Sequence, residues 1–278
     1  EAHTERAGKI SKQLNQFVAE VIELSFKDIA DENWVLLRQL SVLPPILHDF
    51  DLLADLLGRE EDAEQDHLDA QLTRLRTKGL LEYGEEGIQL HPVLREVILG
   101  KAALEYSLVA TLVERLADRL HYDSQDPTHK LLERQPLMIY GEAVTDQVKH
   151  FGQESVSYLL DRIAYLYENF GEYQIAADLG EKALAIAENI FDSDSDSEII
   201  STRQNNLANV YRNLGRYEKA AELLEIALQS AIDNFGEKHP TVATRYNNLA
   251  NVYAAQNHYQ LAIENWWKAL DVLKLNFE

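Results

Sequence analysis

Asparagine side chains recur at a fixed spacing in the C-terminal part of the sequence. Asn205 and Asn209 stand four positions apart, and so do Asn247 and Asn251. A spacing of four places two side chains on one face of a helix. An amide both donates and accepts hydrogen bonds, so a row of amides can hold a peptide backbone without selecting its sequence. The pattern therefore predicts a face that binds a protein or a peptide.

Further polar residues extend this row. A threonine lies three positions before the first asparagine of each pair, and an arginine follows the pair in the first copy. The predicted binding residues are thus Thr202, Asn205, Asn209, Arg212, Thr244, Asn247 and Asn251. The alternative is that paired asparagines only link or cap neighbouring helices, which is the role predicted for Asn206 and Asn248.

A duplicated segment positions these residues. Residues 205–211 and 247–253 both read Asn-Asn-Leu-Ala-Asn-Val-Tyr, so the sequence repeats after 42 positions (250 − 208). A more divergent copy at residues 163–177 lies 44 positions (208 − 164) before the first. Repetition at this period predicts a solenoid, in which each pair of helices buries its apolar face only against its neighbours. Gly215 and Asn257 fall in register and are expected to end the first helix of each repeat in the left-handed conformation.

The second helix of each repeat is predicted to begin at Tyr217 or Tyr259. Trp266 aligns with Leu224, 42 positions earlier (266 − 224), and is predicted to be buried between helices. Trp267 is predicted to be covered by a further repeat. These aromatic residues are therefore interpreted as packing residues rather than as part of a binding site.

The repeat resembles the tetratricopeptide repeat. The residues that carry the resemblance are Leu207, Ala208, Tyr211, Gly215, Tyr217, Ala220 and Ala227. The long period and the linker at residues 234–240 are similar to the variety found in kinesin light chains and in many bacterial regulators. The resemblance covers residues 155–278. It implies an α-α superhelical array in which the polar positions named above look into a concave groove that binds a protein or peptide ligand.

The N-terminal part has a different pattern. Leu68, Leu72 and Leu75 have the spacing of one helix face, and Gly79 follows as the expected end of that helix. A hairpin with its turn at residues 84–87 comes next. Amphipathic helices are predicted on both sides of this hairpin, at residues 16–28, 34–42, 50–57, 63–78 and 93–104. Helices followed by a hairpin predict a winged helix.

Winged helices often bind DNA, and Arg74, Arg76 and Lys78 stand on the predicted recognition helix. Acidic residues surround these cations, and the predicted wing at residues 84–87 reads Gly-Glu-Glu-Gly. Contact with phosphates would therefore meet local repulsion. A DNA-binding transcription regulator with a tetratricopeptide sensor is accordingly the alternative function.

Three stretches resemble the winged-helix domain of signal-transduction ATPases, the STAND family of NB-ARC and NACHT type: residues 36–44, 72–81 and 90–96. In that family a nucleotide-binding module precedes the winged helix and a repeat array follows it. The resemblance implies that His91 contacts the phosphates of ADP bound to that module in the full-length protein. Pro92 follows His91 where plant members have Asp, and the alternative is that His91 only caps the next helix.

Composition argues against several other functions. The net charge of −21 disfavours binding to a nucleic-acid backbone, and the absence of cysteine rules out disulfides and thiol chemistry. Residues 7–11 lack the spacing of a phosphate loop, and the nine histidines lack metal-binding spacing. Residues 192–198 lack the glycine of a calcium loop and are predicted to be a solvated loop. No catalytic residue, metal, cofactor or membrane span is predicted for this chain.

The predicted architecture is mainly α, with a winged-helix domain at residues 1–104, a helical connector at 105–150 and about three tetratricopeptide repeats at 151–278. The chain starts at Glu1 without Met and ends in register with a repeat linker, so we expect a fragment of a longer protein. That protein is expected to be a cytoplasmic, bacterial ATPase that uses ADP and ATP. The fragment is expected to be a non-enzymatic sensor whose repeats bind a ligand and whose winged helix relays binding to the nucleotide domain. A scaffold or adaptor protein is the third possibility.

Overall fold

A computed structural model describes residues 26–85, 87–101, 103–122, 127–190 and 197–277. The chain forms two compact units, Glu1–Arg115 and Leu116–Glu278, and helices dominate the described part of each. The division falls inside the helix Tyr106–Arg119. The segment predicted as a connector therefore contributes to both units.

The first unit combines short helices with one hairpin. The strands pair in antiparallel register, with Leu81 opposite Leu90 and Gly84 opposite Gly87. The order of elements matches the predicted one, whereas the winged-helix assignment stays a prediction. In chain order the elements are α1 (Asp31–Val42), α2 (Phe50–Leu56), α3 (Asp62–Thr77), β1 (Leu81–Gly84), β2 (Gly87–Leu90), α4 (Pro92–Lys101) and α5 (Tyr106–Arg119).

Leucines at helical spacing build the core of this unit. Leu68, Leu72 and Leu75 of α3 are fully buried, as predicted. Gly79 follows α3 with φ 71°, which confirms that a left-handed residue ends this helix. The hairpin requires Gly87, because a Cβ there would lie 2.2 Å from the carbonyl oxygen of His48.

Two predicted helices have different bounds in the structure. The helix predicted at residues 16–28 lies outside the described residues as far as residue 25. Residues 26–28 form a turn, in which Asp28 has φ 60°, so the prediction is wrong there. Helix α4 ends at Lys101 instead of residue 104, and residues 103–105 are not helical.

The second unit contains the repeats. After α6 (Thr128–Val148), three helix pairs follow one another along the chain. The first helix of each pair packs on its own second helix, and α9 and α11 also pack on the second helix of the preceding pair. The pairs are α7 (Glu154–Asn169) with α8 (Tyr173–Ile190), α9 (Ser197–Asn213) with α10 (Tyr217–Phe235), and α11 (Pro240–Ala255) with α12 (Tyr259–Phe277).

Small residues and left-handed turns shape each pair. Ala208 and Ala250 are fully buried at equivalent positions, which lets neighbouring helices approach closely. The turn after the first helix contains Gly171, Gly215 or Asn257, with φ of 83°, 73° and 62°. The predicted left-handed conformation at Gly215 and Asn257 is therefore confirmed.

Helix α12 carries an exposed apolar face. Trp266 is 40% exposed, so the prediction that it is buried is wrong. Its counterpart Leu224 is fully buried, because Leu249 and Val252 of α11 pack into the same cluster. The equivalent face of α12 has no such cover among the described residues. Trp267, 57% exposed, lies beside it, and its cover by a further repeat stays a prediction.

Candidate ligand-binding face

The first helices of the three repeats lie side by side, with α9 in contact with both α7 and α11. Six of the seven predicted binding residues on α9 and α11 are partly or fully exposed. Their accessibility is therefore confirmed, while their contact with a ligand stays a prediction. The A face is the name used below for these six residues: Thr202, Asn209, Arg212, Thr244, Asn247 and Asn251.

Asn205 does not belong to the A face. Its side chain is buried, with 6% of the residue exposed, so the prediction that it points outward is wrong. Asn248 Nδ2 of α11 donates to Asn205 Oδ1 at 2.8 Å, and Asn205 Nδ2 donates to Asn206 Oδ1 at 3.4 Å. The position faces the neighbouring first helix. Asn247 holds the same position one repeat later, and it is exposed because α11 is the last first helix that the structure describes.

The contact between α7 and α9, called the first junction below, is closed by a buried ion pair. Arg203 Nη1 lies 3.1 Å from Asp161 Oδ2, and the two side chains are 7% and 6% exposed. Asn206 Nδ2 lies 3.2 Å from each of the two carboxylate oxygens, and Arg203 Nε donates to Ser157 Oγ at 3.4 Å. The Tyr158 ring centroid lies 5.6 Å from the Arg203 guanidinium. The buried charges thus compensate each other, as buried charges must.

The contact between α9 and α11, called the second junction below, keeps the amide link but lacks this ion pair. Arg245 is only 5% exposed, and its Nε has no hydrogen-bond partner among the described residues. The place that Asp161 holds in the first junction is held here by the neutral Asn205. Burial lowers the pKa of Arg245 to about 10, and the negative charge of Glu198 partly opposes this shift.

Arg212 of the A face belongs to a polar cluster at the end of α7. Arg212 Nη2 donates to Asn213 Oδ1 at 3.3 Å, and Asn213 Nδ2 donates to Glu168 Oε1 at 2.9 Å. Burial raises the pKa of Glu168 to about 7, an effect that Asp161 strengthens and that Arg212 and Asn213 oppose. The charge at this end of the A face therefore changes near neutral pH.

A pocket on the opposite side of α9 was not predicted from the sequence. It lies between α8 and α10, and its walls mix carboxylates with apolar side chains: Glu181, Leu184, Ala185, Glu188, Leu207, Tyr211, Lys219, Glu222 and Leu223. Tyr211 Oη donates to Glu181 Oε1 at 2.6 Å. Burial, with this bond, raises the pKa of Tyr211 to about 12. The pocket is thus a second polar and apolar surface, distinct from the A face.

The structure places His91 at the start of α4. His91 Nδ1 accepts a hydrogen bond from the backbone N–H of Val93 at 3.2 Å, and His91 Nε2 lies 3.5 Å from Glu82 Oε1. The capping role that formed the alternative interpretation of His91 is therefore present. Its predicted contact with ADP stays a prediction.

The cations of the predicted recognition helix are engaged within the first unit. Arg74 Nη1 lies 2.9 Å from Glu32 Oε1, and Lys78 Nζ donates to the carbonyl of Lys27 at 3.1 Å. The Arg76 guanidinium lies 4.4 Å from the centroid of the Tyr83 ring. These intramolecular partners compete with any phosphate for the same cations.

Sequence reasoning also missed the charge difference between the two junctions. A column-by-column alignment at offsets of 44 and 42 would have placed Asp161 above Asn205 and Arg203 above Arg245. Burial of those columns becomes visible only when the first helices are packed. Among the described residues, no three His, Asp or Glu side chains are grouped to hold a metal ion, and no helix is long and apolar enough to cross a membrane.

The fold and the polar face define the second unit as a helical repeat array with a candidate interaction surface. Family models of the tetratricopeptide repeat match residues 156–196 and 200–274. The repeats of this chain are therefore tetratricopeptide repeats, as predicted. No curated protein matches the chain.

Solved structures show the same fold at low sequence identity. A Podosopora anserina protein, described as having kinesin light chain, nearly identical TPR-like repeats, is 17% identical with a TM-score of 0.50, over 83% of this chain and 99% of that one. BtubC (BKLC) from P. vanneervenii is 13% identical with a TM-score of 0.50, over 81% of each chain. A STAND protein with a tetratricopeptide repeat sensor from Pyrococcus horikoshii is 17% identical, but its TM-score is 0.31, over 94% of this chain and 46% of that one. The first two likenesses concern the fold alone.

Proposed function

We propose that this chain is the non-catalytic sensor region of a bacterial, cytoplasmic STAND-type ATPase, and that its repeats bind a protein or peptide through the A face. Tetratricopeptide repeats generally bind protein partners, and residues 156–274 carry such repeats. The single observation that carries the proposal is the row of accessible amide and hydroxyl side chains on α9 and α11. These groups can bond to a backbone of any sequence.

In this proposal the first unit is a winged helix that relays ligand binding to a nucleotide-binding domain outside this chain. Support comes from the order of elements, in which α1 to α3, the hairpin and α4 precede the repeats. It also comes from the resemblance of residues 36–44, 72–81 and 90–96 to that family. The ligand shifts the ATPase between its states by as much as its affinities for those states differ. In the whole protein His91 contacts bound ADP.

Selection of short random peptides on the purified full chain tests the binding function. The position of a selected peptide is then mapped by NMR, from the shifts of side-chain amides. We expect the largest shifts at Asn209 and Asn251. Shifts confined to the pocket between α8 and α10, or the absence of any selected peptide, would contradict the proposal.

A gel-shift experiment with duplex DNA at low salt tests the alternative. Because Arg74, Arg76 and Lys78 are engaged within the first unit and the chain carries a net charge of −21, we expect no retarded complex. A complex that disappears with added salt would instead favour the DNA-binding regulator.

A further inference from the structure

The two junctions correspond residue by residue. Ser157 Oγ donates to the Ala183 carbonyl at 2.8 Å in the first junction, and Ser201 Oγ donates to the Ala227 carbonyl at 3.1 Å in the second. The amide of Asn206 binds the side chain at position 161, and that of Asn248 binds the side chain at position 205. The backbones and hydrogen bonds of the two junctions are thus matched.

One substitution changes the charge of the second junction. Asp161 is replaced by Asn205, while the arginine is kept as Arg245. The buried carboxylate that neutralises Arg203 therefore has no equivalent beside Arg245. A buried charge without a counter-charge is costly, so its retention points to a partner that comes from elsewhere.

A second substitution reduces the side chain beside this arginine. Tyr158, whose ring lies against Arg203, is replaced at the equivalent position by Thr202 of the A face. Thr202 is partly exposed, and a hydroxyl takes the place of a ring. The side that the aromatic ring covers in the first junction is therefore more open in the second.

We propose that the second junction is a carboxylate subsite of the A face, in which Arg245 pairs with a carboxylate of the bound ligand and Thr202 lies beside it. The carboxylate is the chosen occupant because the first junction itself fills the equivalent place with one, that of Asp161. This inference rests on the proposed function and adds the chemistry of the ligand. The peptide carries an Asp, a Glu or its free C-terminus at this place.

Glu198 is the internal group that competes for this role. It lies on α9, it is exposed, and its charge acts on Arg245. If Glu198 swung onto Arg245, the junction would be neutralised without a ligand. The experiment therefore includes a variant that lacks this carboxylate.

Melting temperatures of the full chain in sodium acetate and in sodium chloride at equal ionic strength provide the test. Acetate is the probe, since it is the simplest carboxylate. The matched variants are Asn205→Asp, which supplies Arg245 with an internal counter-charge, Asp161→Asn, which removes it from Arg203, and Glu198→Gln. We expect acetate to raise the melting temperature of the wild type over chloride by about 2–4 °C more than it does for Asn205→Asp. Glu198→Gln keeps or enlarges the wild-type effect.

Asn205→Asp is expected to fold at least as well as the wild type, so the comparison remains possible even if Asp161→Asn does not fold. If Asp161→Asn folds, it gains a further acetate response. Equal acetate responses in the wild type and in Asn205→Asp would overturn the inference, as would a response that appears only in Glu198→Gln. Failure of the proposed function differs from both outcomes, because no peptide would then be selected whatever the acetate response.

Discussion

The first and second junctions of the repeat array have the same architecture and opposite electrostatic states. In the first, Asp161 neutralises Arg203 inside the protein. In the second, Asn205 stands in the place of Asp161, and Arg245 stays buried with its Nε unpartnered among the described residues. The difference is one side-chain group, an amide in place of a carboxylate.

This difference shows that a repeat can keep its packing while changing what it offers a ligand. The serine and asparagine hydrogen bonds of both junctions hold the first helices together, and they do not depend on the charge at position 161 or 205. The charge is therefore free to vary. A closed junction stabilises the array, and an open one is available to a partner.

The largest expected effect is the loss of the buried pair in Asp161→Asn. Removal of one partner leaves Arg203 buried without its carboxylate, so we expect the free energy of unfolding to fall by about 3 kcal/mol. Urea unfolding followed by circular dichroism measures this loss. Asp146→Asn, which removes the exposed partner of Lys149, is the matched control and should cost well under about 1 kcal/mol. Equal losses in the two variants would contradict this account of the first junction.

The reverse change, Asn205→Asp, is expected to stabilise the protein. The new carboxylate still accepts the hydrogen bond from Asn248 and faces Arg245, so we expect a gain of about 1–2 kcal/mol at neutral pH. The same urea experiment measures it. Adding Arg245→Met should abolish the gain, and a gain that persists in this double variant would show that it has another source.

A smaller effect concerns the pH dependence of the first junction. Because the pKa of Glu168 in the folded protein, about 7, exceeds its usual value of 4.5, folding favours the protonated carboxyl. Its contribution to stability is fully present below pH 4.5 and is lost as the pH rises through 7. Glu168→Gln mimics the protonated form, so it should be more stable than the wild type at pH 8 by about 1 kcal/mol and equal to it at pH 4.

Unfolding of both proteins at pH 4, 6 and 8 measures this crossover. Asp161 and Arg212 also act on the Glu168 carboxyl, so Arg212→Met in the wild-type background should shift the loss to higher pH. A difference between Glu168→Gln and the wild type that is constant with pH would rule out titration of Glu168.

The smallest effects are expected on the opposite side of the helices, where the repeats are alike. Tyr211 Oη donates to Glu181, and Tyr253 Oη donates to Glu225 at 2.9 Å. Tyr211→Phe and Tyr253→Phe should each cost about 0.5–1 kcal/mol, and the two losses should be equal. Thermal unfolding of the two variants checks this. Clearly unequal losses would show that the difference between the repeats is not confined to their first helices.

The sequence predicts the elements well because local rules define them. The duplicated segment, the leucines of α3 and the left-handed Gly215 and Asn257 all follow from spacing or from backbone freedom. The roles of Asn206 and Asn248 between helices are also confirmed. Each of these features depends on residues close to it in the chain.

Predictions that depend on a neighbouring repeat were less successful. Asn205 and Asn209 share one helix face by spacing, yet only Asn205 is covered by α11, because the offset between first helices is set by tertiary packing. Trp266 was expected to be buried as Leu224 is, although no described helix covers it. The ion pair between Asp161 and Arg203, 42 positions apart (203 − 161), is likewise invisible until α7 and α9 are brought together.

The dissociation constant of a selected peptide tests the central claim most directly, namely that the A face is the binding surface. It is measured for the wild type, for Asn209→Ala with Asn251→Ala, and for a control that removes two exposed amides from second helices, Gln229→Ala with Gln260→Ala. Loss of two hydrogen bonds to a peptide weakens binding about tenfold or more, whereas the control should bind like the wild type. An unchanged dissociation constant in the A-face variant, or equal weakening in both variants, would contradict the account.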